Sequence, residues 1–270
     1  MMKEGLSLEA VKPVRPVAPY IGGKRALSKR LVAMIDAQPH DIYAEPFVGM
    51  GGVFLRRTGR PKKEVINDIS RDVVTLFRLL QRHYQQLLDV LKWQVCSRAE
   101  FDRLLATDPD TLTDLERAAR FLYLQRAAFG GVVDRRHYGI SYTGGARFDL
   151  TKLVPMLEAV HERLCGVEIE RLPYVDLIRR YDRPGTLFYL DPPYHGNETD
   201  YGDGVFSEAD FEQLRGLLEG VDGRFIMSIN ATDMIRDLFR RFTIEEVDVN
   251  YRVSGKVTPA RELIISGPGG

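Results

Sequence analysis

The run Thr186-Leu187-Phe188-Tyr189-Leu190, followed at once by Asp191-Pro192-Pro193-Tyr194, constrains this chain more than any other stretch. Its apolar, aromatic and β-branched content predicts a strand buried on both faces. The two prolines must end that strand, since neither can donate to a sheet ladder and each fixes its own φ. An acid, a backbone carbonyl and an aromatic ring are thereby held at the carboxyl end of a strand, the edge of open α/β sheets where ligands sit. As a plain turn the tetrapeptide needs Asp191 only to accept local hydrogen bonds, so the rest of the chain has to decide.

Other strand ends repeat the theme. A strand over Ile42–Phe47 runs into Gly49-Met50-Gly51-Gly52, with a helix expected from Val53. Such a turn lets backbone approach a nucleotide closely. Phe54 stands where a dinucleotide fingerprint needs its third glycine, which argues against an NAD enzyme. The next strand, Glu64–Asn67, ends in Asp68, an acid suited to ribose hydroxyls or to capping a helix expected over Arg71–Leu91. Asp176 follows a third strand, Val167–Glu170, where it could meet an adenine amino group or cap a helix. Tyr20-Ile21-Gly22-Gly23-Lys24 precedes a helix over Ala26–Ile35 but is not a Walker A loop, because Ala18 replaces the first glycine and Arg25 the hydroxyl residue.

Strands and helices alternate except in the middle and at the C-terminus. The fold class is therefore α/β, a mostly parallel sheet with one antiparallel strand near the end, interrupted by a mostly helical insertion. Residues 1–18 read as a flexible lead-in, 19–75 and 150–270 as the core domain, and 76–149 as the insertion. With two cysteines and no C-x-x-C, neither a disulfide framework nor a metal site is expected, and a cytoplasmic location fits. No apolar run approaches the roughly 20 residues that span a bilayer.

The net charge is zero, but basic residues cluster. The clusters are Lys12–Arg30, then Arg56, Arg57, Arg60, Lys62 and Lys63, then Arg117 through Arg147. The glycine-rich stretch Phe129–Gly145 alternates basic and aromatic residues, a texture that suits phosphate contacts and base stacking. Arg126, Arg135, Arg136, His137, Tyr138 and Tyr142 are the candidate DNA contacts; a bare surface hairpin is the alternative.

Together, Pro19–Lys24, Glu45–Gly51, Asn67-Asp68-Ile69, Phe188–Tyr194 and Glu262–Ser266 resemble the Dam-type adenine-N6 DNA methyltransferases, in that family's order. The resemblance implies a Rossmann-like sheet, S-adenosylmethionine as methyl donor without a metal, and double-stranded DNA as partner. It implies that Tyr20, Lys24, Phe47, Gly49, Gly51, Asp68, Asp176 and Asp191 line the cofactor pocket. It also implies that Asp191, Pro192, Pro193 and Tyr194 hold a flipped adenine. A monomer is expected, and a cognate restriction endonuclease is an admissible partner. The insertion departs from GATC-reading members: Gly131–Arg136 carries Asp134 where a base-reading Arg is usual and Arg136 in place of Asn, so the target sequence stays open. Cytosine-N4 methylation uses the same amine chemistry, though Asp191 rather than Ser favours adenine. A catalytically idle DNA-binding relative is the rival from another class.

Overall fold

The computed structural model describes residues 8–140, 144–196, 204, 206–253 and 256–267, with backbone alone for 251–253, 256 and 257. The sheet-forming strands are β2 (Ile42–Glu45), β4 (Lys63–Asn67), β5 (Glu168–Glu170), β6 (Thr186–Leu190), β7 (Arg224–Asn230), β8 (Thr243–Val253) and β9 (Lys256–Gly267). They form a seven-stranded sheet in the order β5-β4-β2-β6-β7-β9-β8. Every neighbouring pair is parallel except those made by β9, which runs against both β7 and β8. The expected α/β sheet with a single reversed strand is what forms.

Alternation along the strands explains the two layers. Tyr43, Ile66, Leu187, Tyr189, Ile226 and Ile264 face one side, where α1 (Ser28–Ala37) and the middle helices pack. Ala44, Val65, Phe188, Leu190, Met227 and Ile265 face the other, under α7 (Tyr174–Tyr181), α8 (Glu208–Leu218) and α9 (Asp233–Leu238). Strands so covered must be apolar at every position, which is why β6 reads as an unbroken run.

The middle of the chain folds as α2 (Arg71–Arg82), α3 (Tyr84–Leu91), α4 (Arg98–Ala106), α5 (Asp114–Ala127) and α6 (Leu150–Leu164). The long helix expected over 71–91 breaks at His83, whose backbone lies at φ −132° and ψ 37°. Beside the break, His161 Nδ1 on α6 bonds the Leu80 carbonyl at 2.7 Å, the acceptor an unbroken helix would offer to Tyr84 N–H. The expected 75/76 boundary falls inside α2, and Phe121, Leu122 and Leu124 of α5 join the same core as Ile66 and Tyr189. Among the described residues, these helices therefore share the core of the sheet.

Residues 8–18 are pinned rather than loose. The short β1 (Glu9–Ala10) pairs with β3 (Gly59–Arg60), Val14 N donates to Leu55 O at 2.8 Å, and Val17 and Ala18 are buried. Backbone pairing of this kind leaves no periodic trace in so short a segment. After the glycine turn the expected helix from Val53 is only a single 3-10 turn, Phe54–Arg56.

At the amino edge of the sheet, opposite the prolines, Glu64 is 2 % exposed and accepts from three arginines. Arg163 binds it through two contacts of 2.7 Å, Arg57 at 3.0 Å and Arg60 at 3.1 Å. Removing this carboxylate strands buried cations. Glu64→Leu is expected to cost about 3–5 kcal/mol of stability, measured by urea unfolding; a loss below 1 kcal/mol would refute the keystone role.

Candidate active site

Chain order reverses between β2 and β6: the chain proceeds outward through β4 and β5 on one side and through β6 and β7 on the other. A crevice opens at the carboxyl ends of strands at such a switch point. The glycine turn leaves β2 there and Asp191 leaves β6. Gly49 and Gly51 hold φ of 50° and 73°, a region side chains disfavour. A Cβ on Gly49 would lie 2.9 Å from the Tyr20 ring. The turn is thus packed onto Tyr20, and Phe47 stands half-buried at its start.

Asp68 locks this turn to the end of β4. Its carboxylate accepts from Gly49 N at 2.9 Å and Ser70 N at 2.8 Å. Burial pushes its pKa up to about 6, against the pull of those two N–H groups. Asn67, fully inside, donates to Pro46 O at 2.8 Å and Leu172 O at 3.0 Å and accepts from Leu172 N at 2.8 Å, so the ends of β2, β4 and β5 are sewn together.

Across the crevice, Lys24 is buried and its Nζ lies 2.6 Å from Asp191 Oδ1. The same ammonium donates to the Tyr194 hydroxyl at 2.7 Å and the Gly22 carbonyl at 3.3 Å. Tyr194 in turn donates to Glu262 Oε1 on β9 at 2.5 Å. Burial raises Asp191 to about 6; Lys24 opposes the rise and Glu262 adds to it. Burial, with Asp191 and Glu262 nearby, puts the Tyr194 phenol far above its ordinary value. Nearby Glu45 rises to about 8 by burial, against the hydrogen bond from Tyr43 at 2.6 Å. Beyond the prolines, the Asn230 side-chain amide clasps the His195 backbone, accepting from its N–H and donating to its carbonyl at 2.9 Å each, next to Tyr194.

The structure brings Tyr20, Lys24, Phe47, Gly49, Gly51, Asp68, Asp191, Pro192, Pro193 and Tyr194 to this edge. Asp176 is different: it stands exposed on the first turn of α7. Tyr174 at the start of that helix faces inward instead, its ring 5.4 Å from Phe47 and 5.9 Å from Phe206. Sequence reasoning favoured the acid over the aromatic residue two positions earlier. It also gave no role to Glu262, although a lone carboxylate in an apolar buried strand is a signal in itself.

The candidate DNA contacts divide. Arg135 is exposed, with φ 48°, and His137 is exposed; Tyr138 is half-buried against Phe101, ring centroids 5.5 Å apart. Arg136 is buried and bonds Gln125 Oε1 at 3.1 Å, while Arg126 donates to Val17 O at 2.7 Å. Arg136 thus ties the loop to α5, and Arg126 ties α5 to the segment before Tyr20. Tyr142 lies outside the described residues.

Comparison with known proteins decides the class. The family model described as "D12 class N6 adenine-specific DNA methyltransferase" matches residues 20–253. The chain belongs to this family. Among similar proteins are the type II methyltransferase M1.LlaDCHI of Lactococcus lactis subsp. cremoris, 26% identical over 95% of this chain and 96% of the relative. Type II methyltransferase M.CviBI of Paramecium bursaria Chlorella virus NC1A is 25% identical over 90% and 95%, and the DNA adenine methylase of Salmonella typhi 26% over 90% and 91%. The N6 adenine methyltransferase reading thus stands over cytosine N4. Its methyl donor is the one a methyltransferase family implies, S-adenosylmethionine. Among the described residues no helix of this D12 methyltransferase is long and apolar enough to cross a membrane.

Asp191 should mark the methyltransferase's stability against pH. Its folded pKa, about 6, exceeds the unfolded value, so the folded state binds the extra proton between them. Stability is therefore lost as pH rises from about 4 to about 6, by up to roughly 3 kcal/mol for this group. Buried Asp68 and Glu45 add losses of the same sign in both proteins. Urea unfolding across that window should therefore show a steeper loss in wild type than in Asp191→Asn; parallel curves would contradict it.

Proposed function

We propose that this methyltransferase binds S-adenosylmethionine across the carboxyl ends of β2, β4 and β5 and presents to it an adenine held by Asp191-Pro192-Pro193-Tyr194. The observation that carries the reading is Asp191, a half-buried acid at the switch point, facing the turn that Asp68 secures. The residues fit a nucleoside. Asp68 keeps lone pairs free for ribose hydroxyls after its two N–H bonds, and Phe47 and Tyr174 offer a partly exposed aromatic wall. When bound, the cofactor supplies an electrophilic methyl on a sulfonium.

The chain's own residues do the rest. Adenine N6 is a poor nucleophile because its lone pair is delocalised into the ring. Asp191 and the Pro192 carbonyl each accept one N6–H, which lets the nitrogen turn tetrahedral and aim its lone pair at the methyl. Fixed acceptors of this kind stabilise the positive charge that grows on nitrogen, and alignment adds an orientation effect. A carboxylate with a pKa of about 6 is too weak a base to deprotonate the neutral amine, so it takes the proton after the methyl has arrived. The base must leave the duplex at a cost of a few kcal/mol, and stacking on Tyr194 offsets about 1–3 kcal/mol of that.

Arg135 and His137 on the loop after α5 meet the DNA backbone. The enzyme acts as a monomer, since one chain supplies every group used, and works in the cytoplasm. Two relatives named type II methyltransferases support a cognate restriction endonuclease as partner.

Incubation of duplex DNA with methyl-labelled S-adenosylmethionine should place label in N6-methyladenine; label in N4-methylcytosine, or none, overturns the reading. Asp191→Ala should lower the rate at least about 10²–10³-fold while circular dichroism stays native. Arg135→Ala should weaken DNA binding and reduce the salt slope by about 1, whereas Arg136→Ala should first lower the unfolding midpoint. Equal salt slopes for wild type and Arg135→Ala would remove that residue from the interface.

A further inference from the structure

Glu262 sits on β9, the reversed strand, wholly buried and opposite Asn230 of β7. One oxygen, Oε1, accepts from Tyr194. The other, Oε2, has no hydrogen-bond partner among the described residues and lies 3.9 Å from Lys24 Nζ. A buried carboxylate with an unused oxygen costs stability that a Leu here would not. It stands in contact with two residues of the methyl-transfer site, so the cost has a functional candidate.

Donation in this cluster runs one way. An ammonium can only donate, so Lys24 occupies a lone pair of the Tyr194 oxygen, and the Tyr194 O–H must find its own acceptor. Glu262 is that acceptor. Lys24 in turn lies between two carboxylates, Asp191 at 2.6 Å and Glu262 at 3.9 Å. Lys24 engages Oδ1 of Asp191, so how tightly it holds that carboxylate bears on how Asp191 turns toward an amine. We infer that Glu262 is a positioning residue of methyl transfer: it anchors the Tyr194 hydroxyl and draws Lys24 toward itself, leaving Asp191 able to accept from the substrate amine. The inference rests on the proposed role of Asp191-Pro192-Pro193-Tyr194.

The titratable groups facing Asp191 are Lys24 from the turn before α1, Glu45 at the end of β2, Tyr189 on β6, Tyr194 beyond the prolines and Glu262 on β9. Of these, Glu262 adds to the rise of the Asp191 pKa and Lys24 opposes it. Glu262→Gln keeps an oxygen for Tyr194 but removes the negative charge and turns an N–H toward Lys24. Asp191 should then ionise more readily yet be held more tightly by Lys24. These two effects have different readouts.

The experiment measures methyl transfer to duplex DNA against pH for wild type, Glu262→Gln, Tyr194→Phe and the double variant. Glu262→Gln should lower kcat about tenfold with KM for DNA unchanged, and its acid limb should fall at lower pH than the wild-type limb near 6. Tyr194→Phe should also lower kcat, and the double variant should be little worse than the poorer single one, as groups acting as a unit require. Glu262→Gln with wild-type kcat and an unmoved limb overturns the inference, as does a limb that stays put while KM rises. Should Glu262→Gln not fold, Tyr194→Phe decides, and wild-type kcat there overturns it. A wild-type protein that methylates no DNA would instead count against the proposed function, which separates the two failures.

Discussion

The contact between Lys24 and Asp191, 2.6 Å long and largely out of water, joins the first loop of the chain to the end of its central strand. Both charges lose hydration, and an ion pair so placed contributes little net stability against an apolar replacement. Its contribution is geometric. Lys24 follows a glycine turn whose position depends on Tyr20, and Tyr20 packs against Gly49. Gly49 is tied to Asp68. One chain of contacts therefore runs from the end of β6 through the first loop to the ends of β2 and β4. An α/β sheet provides the crevice at its switch point for topological reasons alone; these contacts give it fixed walls.

The sheet carries a second buried ionic cluster at its other edge, and the contrast is informative. Around Glu64 both carboxylate oxygens are bonded to arginines. Around Glu262 one oxygen is left over and two acids share a single lysine. The first arrangement locks the amino ends of the strands to α6. The second is under-satisfied, and it sits where a substrate amine with two N–H groups would arrive. Unmet hydrogen-bonding capacity concentrated at a ligand site is what a protein selected for binding, rather than for maximal stability, retains.

Much of this was legible in the chain because its causes are local. The buried run before Asp191 predicts a strand covered on both faces, and the prolines fix its end to the residue. The glycine turn and Asp68 announce themselves by chemistry at strand ends. What was not legible depends on distant partners. Arg117, Arg120 and Arg136 look like a basic surface stripe, yet all three are buried, with Arg117 bound to Asp72 and Arg120 to Leu104 O. Charge can be counted in a sequence, but burial cannot. His161 bonds the Leu80 carbonyl beside a helix break, eighty-one residues away, and no window of the sequence contains both. Asp176 is ambiguous for the opposite reason: an acid at a strand-to-helix junction serves equally as a first-turn residue, and here it is exposed on the first turn of α7.

The buried arginines bear on how the enzyme couples DNA to chemistry. Gln125 of α5 donates to Pro19 O at 2.9 Å and Gly131 O at 2.6 Å, and Ile21 N donates to the same Gly131 carbonyl at 2.9 Å. Arg136 holds the other end of the Gln125 amide. The base of the loop that carries the exposed Arg135 and His137 is thus bonded to the turn that delivers Lys24. A loop attached by a hinge would read DNA in one frame and present the base in another. With Gly131 at φ 72° and a Cβ there only 3.1 Å from Pro19, the two segments are too close to slide. On the proposed role of that loop, binding energy gained on phosphates would serve to align the base, because the two surfaces share one rigid frame.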